Sequence, residues 1–112
     1  RTFCYISDAL VGFFKVLLSG RNGEAYNVGN DNEEINMVSL ANTAVSILKS
    51  KASVQLVGYP ETYPADEPNR RCPDLTKIKK ELGYKPSIDL KTGIERTARW
   101  FKDTLPPEFY LA

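Results

Sequence analysis

Arginine and asparagine side chains can bind an anionic ligand, and the motifs set out below single out four of them: Arg1, Arg70, Arg71 and Asn36. A guanidinium stays protonated at any working pH, and its planar fork of donors matches phosphate oxygens two at a time. Asn36 stands where a helix is predicted to begin, and the N–H groups of a helix N-terminus attract anions. Because neighbouring side chains of an extended loop point in opposite directions, one of Arg70 and Arg71 is expected to face away, and Arg70 is slightly favoured.

Each of these residues also has a purely structural interpretation. Arg70 and Arg71 fall in a proline-rich loop, where an arginine is commonly a solvated charge. Asparagine is a preferred N-cap, so Asn36 could satisfy its own helix and do nothing more, although the two roles could coexist. Asp8 precedes an apolar helical pattern and is interpreted as a cap rather than as a ligand-binding residue.

The composition bounds the class of protein. The 112 residues suffice for one small domain, and 42% hydrophobic with 26% charged residues is typical of a globular chain. A net charge of +1 does not favour a nucleic-acid partner or an anionic membrane surface. Two cysteines and no histidine indicate neither a disulfide framework nor a zinc site, so a cytoplasmic location is expected. No apolar run reaches the roughly 18 to 20 residues that span a bilayer.

The elements that must position these residues follow from apolar periodicity and from turn formers. Strands are predicted at 2–6, 24–28 and 54–57, with an irregular loop at 58–73. Helices are predicted from Asp8 to Gly20, from Asn36 onward, from Asp74 to Leu82 and from Asp89 to Lys102. The order β-α-β-α-β-loop-α-α predicts a small mixed α/β domain over 1–103, followed by a fraying tail over 104–112. Arg1 opens directly into an apolar strand, which suggests a piece of a longer chain.

Four motifs, taken together and in order, are more specific than their composition. They are R-T-F-C-Y-I-S-D at 1–8, Y-N-V-G-N at 26–30, R-R-C-P-D-L-T-K at 70–77 and E-L-G-Y-K-P at 81–86. At these separations they resemble the last third of extended short-chain dehydrogenases/reductases, the NAD-dependent epimerase/dehydratase family. That family includes UDP-glucuronate decarboxylases, dTDP-glucose 4,6-dehydratases and UDP-glucose 4-epimerases. The first and third motifs look most like the UDP-glucuronate decarboxylase branch.

The resemblance implies a division of labour. An N-terminal Rossmann domain would hold NAD and carry a Tyr-x-x-x-Lys pair, and neither motif occurs in this chain. The C-terminal domain would grip the diphosphate of a UDP- or dTDP-sugar, through Arg1 and the Arg70–Arg71 pair, with Asn36 at a substrate phosphate. This chain would then be the substrate-binding portion of a nucleotide-sugar decarboxylase, dehydratase or epimerase, inactive alone. Members of the family usually form homodimers through helices of the Rossmann domain.

Two alternatives from other classes remain open. The chain could be a stand-alone, non-catalytic module that binds nucleotide diphosphates or a partner. It could also be a structural fragment that exposes the apolar surface normally covered by another domain, and that associates or swaps as a result.

Overall fold

The computed structural model describes residues 1–63, 66 and 68–106, and four helices organise them. Their bounds are α1 Ile6–Ser19, α2 Met37–Leu48, α3 Thr76–Leu82 and α4 Leu90–Thr104. Helix α2 packs against α4, and α1 packs against α3. All four predicted helices are therefore present. Most of the predicted tail, 104–112, lies outside the described residues.

The three predicted strands are not assigned in the part of the chain that the structure describes. Segments 2–6, 24–28 and 54–57 form no ladder, and the one bridge found there joins Thr2 to Glu34 in antiparallel fashion. A strand exists only when its N–H and C=O groups pair with a neighbouring strand. An apolar, β-branched sequence favours the extended conformation, but it does not determine whether a second strand lies beside it.

Two of the polar residues predicted to cap helices do so, and a third does not. Asn36 caps α2 by accepting from the N–H of Ser39 at 2.8 Å, and Asp89 caps α4 by accepting from the N–H of Thr92 at 2.7 Å. The prediction for Asp8 is wrong, because α1 already begins at Ile6 and Asp8 lies inside its first turn. Its buried carboxylate instead binds a segment near residue 87, far along the chain.

The small core lies where α1 and α3 meet. Leu75, Ile78 and Tyr84 are each only 1% exposed. Gly83 ends α3 in the left-handed conformation, with φ of 58°, and turns the chain so that Tyr84 enters the core. Gly12 allows α1 to approach closely, because a Cβ there would lie 2.3 Å from a methyl carbon of Val28.

One face of α1 is apolar and open to solvent. The side chains of this face are between 47% and 78% exposed: Ile6, Leu10, Val11, Phe13, Phe14, Leu17 and Leu18. The stripe of a surface helix normally packs against a core. In the described chain this face has no such cover.

Candidate functional site

Three segments that are distant in sequence meet at Thr2. The Thr2 N–H donates to the carbonyl of Arg71 at 3.1 Å, and Thr2 is also the partner of Glu34 in an antiparallel bridge. The Ile35 N–H donates to the carbonyl of Arg1 at 2.9 Å, and the Arg1 nitrogen donates back to the carbonyl of Ile35 at 2.9 Å. These backbone bonds hold the start of the chain, the approach to α2 and the arginine pair side by side.

A cavity of about 510 Å³ opens beside this junction. Its lining residues are Thr2, Cys4, Val28, Gly29, Asn30, Arg70, Arg71, Cys72 and Pro73. Arg70 and Arg71 are both among these residues. Arg1 is not among the lining residues, but its neighbour Thr2 is. Two arginines and one asparagine among the lining residues give the cavity a composition that suits an anion.

Arg70 forms a bidentate ion pair with Glu34. Its Nε donates to Oε1 at 2.7 Å and its Nη2 donates to Oε2 at 2.9 Å, while the two side chains are 73% and 37% exposed. The hydrogen bond from Arg70 lowers the pKa of the Glu34 carboxyl, and the same bond raises the pKa of the Arg70 guanidinium. Both groups are therefore charged at neutral pH, and Glu34 holds one edge of the Arg70 fork.

Asn36 lies one residue beyond the Ile35–Arg1 pairing, at the start of α2. Its Oδ1 accepts the capping bond from Ser39, so the structural interpretation of this residue is correct. Asn36 does not line the cavity of the arginine pair. The structure thus brings the segments of all four predicted residues together through Thr2, but it places only Arg70 and Arg71 on the cavity itself.

Two residues of this region were missed by sequence reasoning. Asn30 lines the cavity and is only 4% exposed, with its Oδ1 accepting from the N–H of Asn32 at 2.9 Å. Its place in an asparagine-rich turn could have indicated this hydrogen bond, because asparagine side chains in turns often accept from the backbone N–H two residues later. Glu34 carried no such signal, since its partner Arg70 lies 36 residues away.

Cys4, one of the two cysteines that line the cavity, is disfavoured as a reactive thiol. Burial raises the pKa of the Cys4 thiol, whose sulfur lies 3.7 Å from the hydroxyl of Tyr84. A raised pKa disfavours the thiolate, which is the reactive form. Within the described ranges there is also no group of three or more side chains suited to hold a metal ion.

A second cavity, of about 460 Å³, lies between α2 and α4. It is lined mainly by apolar side chains of these two helices, among them Leu40, Leu48, Ile94 and Phe101. It has no cationic lining residue, so it does not suit a diphosphate. None of the helices described here is long and apolar enough to span a bilayer.

Comparisons with known proteins identify relatives of this chain. The chain is 35% identical to UDP-glucuronic acid decarboxylase 6 of Arabidopsis thaliana over 94 residues, which are 84% of this chain and 26% of the relative. It is 32% identical to the dTDP-D-glucose 4,6-dehydratase of Mus musculus over 104 residues, which are 91% of this chain and 29% of the relative. No family model matches the chain.

A solved structure has the same fold. The Bordetella bronchiseptica enzyme WbmF, in complex with NAD+ and UDP, matches 94% of this chain and 30% of its own with a TM-score of 0.76 and 23% identity. The chain thus spans between a quarter and a third of the length of these proteins. The α/β fold class predicted from the sequence is confirmed, since this neighbour shares the fold over 94% of the chain. The chain is a homologue of the NAD-dependent epimerase/dehydratase family, as its motifs predict, and corresponds to the C-terminal portion of the family's members.

Proposed function

We propose that this chain binds the diphosphate of a UDP- or dTDP-sugar within an NAD-dependent nucleotide-sugar decarboxylase, dehydratase or epimerase. The observation that supports this most is the cavity lined by Arg70 and Arg71, together with the backbone bonds that tie it through Thr2 to Arg1. A diphosphate needs several fixed donors at once. The three arginines occupy neighbouring segments because Thr2 pairs with Arg71 and adjoins Arg1.

The contribution of such a site to catalysis is orientation. Contacts with the diphosphate are remote from the reacting sugar, and their binding energy can hold the sugar in a reactive geometry. The UDP-glucuronate decarboxylase branch is our preferred subfamily, because both the first and third motifs resemble it. A cytoplasmic location is part of the same proposal.

The residues described here do not form a site that fits NAD. The chain has no glycine-rich turn between a strand and a helix, which is the feature that cradles a dinucleotide pyrophosphate. We therefore assign cofactor binding, and the redox chemistry that NAD supplies when bound, to an N-terminal Rossmann domain of the same protein. The dimer expected for the full-length protein would form through that domain.

The exposed face of α1 supports the presence of such a domain. Leu17 and Leu18, at 76% and 78% exposure, are the most exposed of the large hydrophobic side chains of α1. A stand-alone module would be expected to cover such a face, so the uncovered helix argues against that alternative and favours a domain packed on α1.

The proposal is tested by replacing Arg70 in the natural full-length protein. In the Arg70→Ala variant we expect UDP binding, measured by calorimetric titration, to weaken by about tenfold or more, because a charge-assisted bidentate contact is lost. Arg21→Ala is the matched control. Arg21 is also exposed, forms an ion pair of 2.8 Å with Glu81, and does not line the cavity. Equal UDP affinity in the two variants would refute the role of Arg70.

A further inference from the structure

The ion pair between Glu34 and Arg70 occupies part of the group that we propose to bind phosphate. A guanidinium has five N–H donors, and Glu34 takes the edge formed by Nε and Nη2. A carboxylate and a phosphate oxygen pair both fit this planar edge. The chain thus places an anion of its own where a ligand anion would bind.

The backbone on both sides of the pair is fixed, whereas its side chains are in water. Glu34 is held by its bridge to Thr2, and the residue after Arg70 is held by the bond from the Thr2 N–H to its carbonyl. The Arg70 side chain is 73% exposed. An exposed ion pair contributes little to stability, so a stronger anion can displace the carboxylate without disturbing the fold.

We propose that Glu34 is an internal competitor for Arg70 and thereby sets the affinity of the site for the nucleotide diphosphate. This inference rests on the proposed function. A bound diphosphate takes over the edge of the Arg70 fork that Glu34 holds, and the released carboxylate remains nearby as a like charge. Both effects weaken nucleotide binding, so Glu34 is a determinant of affinity rather than a catalytic residue.

The test is the UDP affinity of the Glu34→Gln variant of the full-length protein. Glutamine keeps the size of the side chain but removes its charge, and we expect UDP to bind about three- to tenfold more tightly, as suits the loss of an exposed ion pair. The control is Glu24→Gln, which makes the same change in net charge at an ion pair with Lys77 of 2.7 Å. Unchanged or weaker UDP binding in Glu34→Gln would overturn the inference.

The Arg70→Ala background separates this inference from the proposed function. There, Glu34→Gln should tighten UDP binding much less than it does in the wild-type background, because the contested fork is gone and only the nearby like charge is removed. A gain of the same size with and without Arg70 would contradict competition for the fork. If Arg70→Ala alone leaves UDP affinity intact, the proposed function fails. If Arg70→Ala weakens binding but Glu34→Gln does not tighten it, only the competition fails.

Discussion

The carboxylate of Asp8 binds Ser87 twice, accepting one hydrogen bond from its backbone N–H and one from its hydroxyl, each at 3.0 Å. A third bond comes from the Ile88 N–H at 2.8 Å. Asp8 is only 6% exposed, so these bonds replace the water that its charge has lost. They fasten the first turn of α1 to the segment that leads into α4.

Replacing Asp8 should therefore destabilise the fold strongly. Asp8→Ala leaves three donors near Ser87 without their acceptor, and we expect the free energy of unfolding to fall by about 2 to 4 kcal/mol. Urea unfolding followed by circular dichroism measures this. Asp103→Ala, at an exposed position near the end of α4, should change the stability little. Similar losses in the two variants would contradict the role of Asp8 as a fastener.

The hydroxyl of Tyr84 contributes stability that depends on pH. It donates to the carbonyl of Gly29 at 2.8 Å inside the core, and burial raises its pKa above the ordinary value of 10.0. Above pH 10 the unfolded chain begins to ionise this tyrosine while the folded chain keeps it neutral. Stability from Tyr84 is thus fully present below pH 10 and is lost as pH rises toward the raised folded value.

For Tyr84→Phe we expect a loss of about 1 to 2 kcal/mol near neutral pH, and a smaller difference from wild type at about pH 11. Denaturant unfolding at the two pH values gives both numbers. Tyr59→Phe, at a side chain that is 78% exposed, should show no such convergence. If the difference in free energy of unfolding between wild type and Tyr84→Phe is as large at pH 11 as at neutral pH, the pH-dependent role of Tyr84 is contradicted.

Adding one methyl group at Gly12 should separate α1 from the core. A Cβ there would lie 2.3 Å from Cγ1 of Val28 and 3.1 Å from Cε2 of Tyr84. Overpacking of this kind costs about 1 to 3 kcal/mol, which outweighs the gain in helix propensity of about 1 kcal/mol. Gly58→Ala is the control, since no atom lies within 4 Å of its added Cβ. A Gly12→Ala protein with an unchanged melting temperature would be inconsistent with this close approach.

Two substitutions separate the capping role of Asn36 from its proposed role at a phosphate. Asn36→Ala should lower stability by about 1 kcal/mol, because the bond to the Ser39 N–H is lost. Asn36→Ser keeps a capping oxygen but removes the amide nitrogen that would donate to a phosphate. We expect the serine variant of the full-length protein to melt like wild type and to bind UDP several-fold more weakly. Wild-type UDP affinity in Asn36→Ser would leave capping as the residue's role.

Local patterns predicted the helices well because their signals are local. The caps at Asn36 and Asp89 and the left-handed turn at Gly83 each depend on residues within one turn of the helix end. The motif order likewise led to the family that the comparisons support.

Features that depend on distant partners were not predictable in the same way. Asp8 has the residue type of a cap, but its acceptor role is set by Ser87, 79 residues away. The apolar stretch at 2–6 has strand propensity, yet only Thr2 finds a bridge partner. The same holds for the candidate site. The motifs singled out Arg70, but its ion-pair partner Glu34 is 36 residues away and could be identified only from the structure.

Thr2 contacts both Arg71 and Glu34, so the position of the arginine pair is set by the first residues of the chain. It does not depend on the long connection between α2 and Arg70. Among the residues described between the end of α2 and Arg70 no helix is assigned, whereas the carbonyl of Arg71 accepts a hydrogen bond from the N–H of Thr2. Under the proposed function, insertions, deletions or new aromatic residues in this connection would leave the backbone contact of the arginine pair in place. The bound sugar could then change while the same arginines hold the diphosphate.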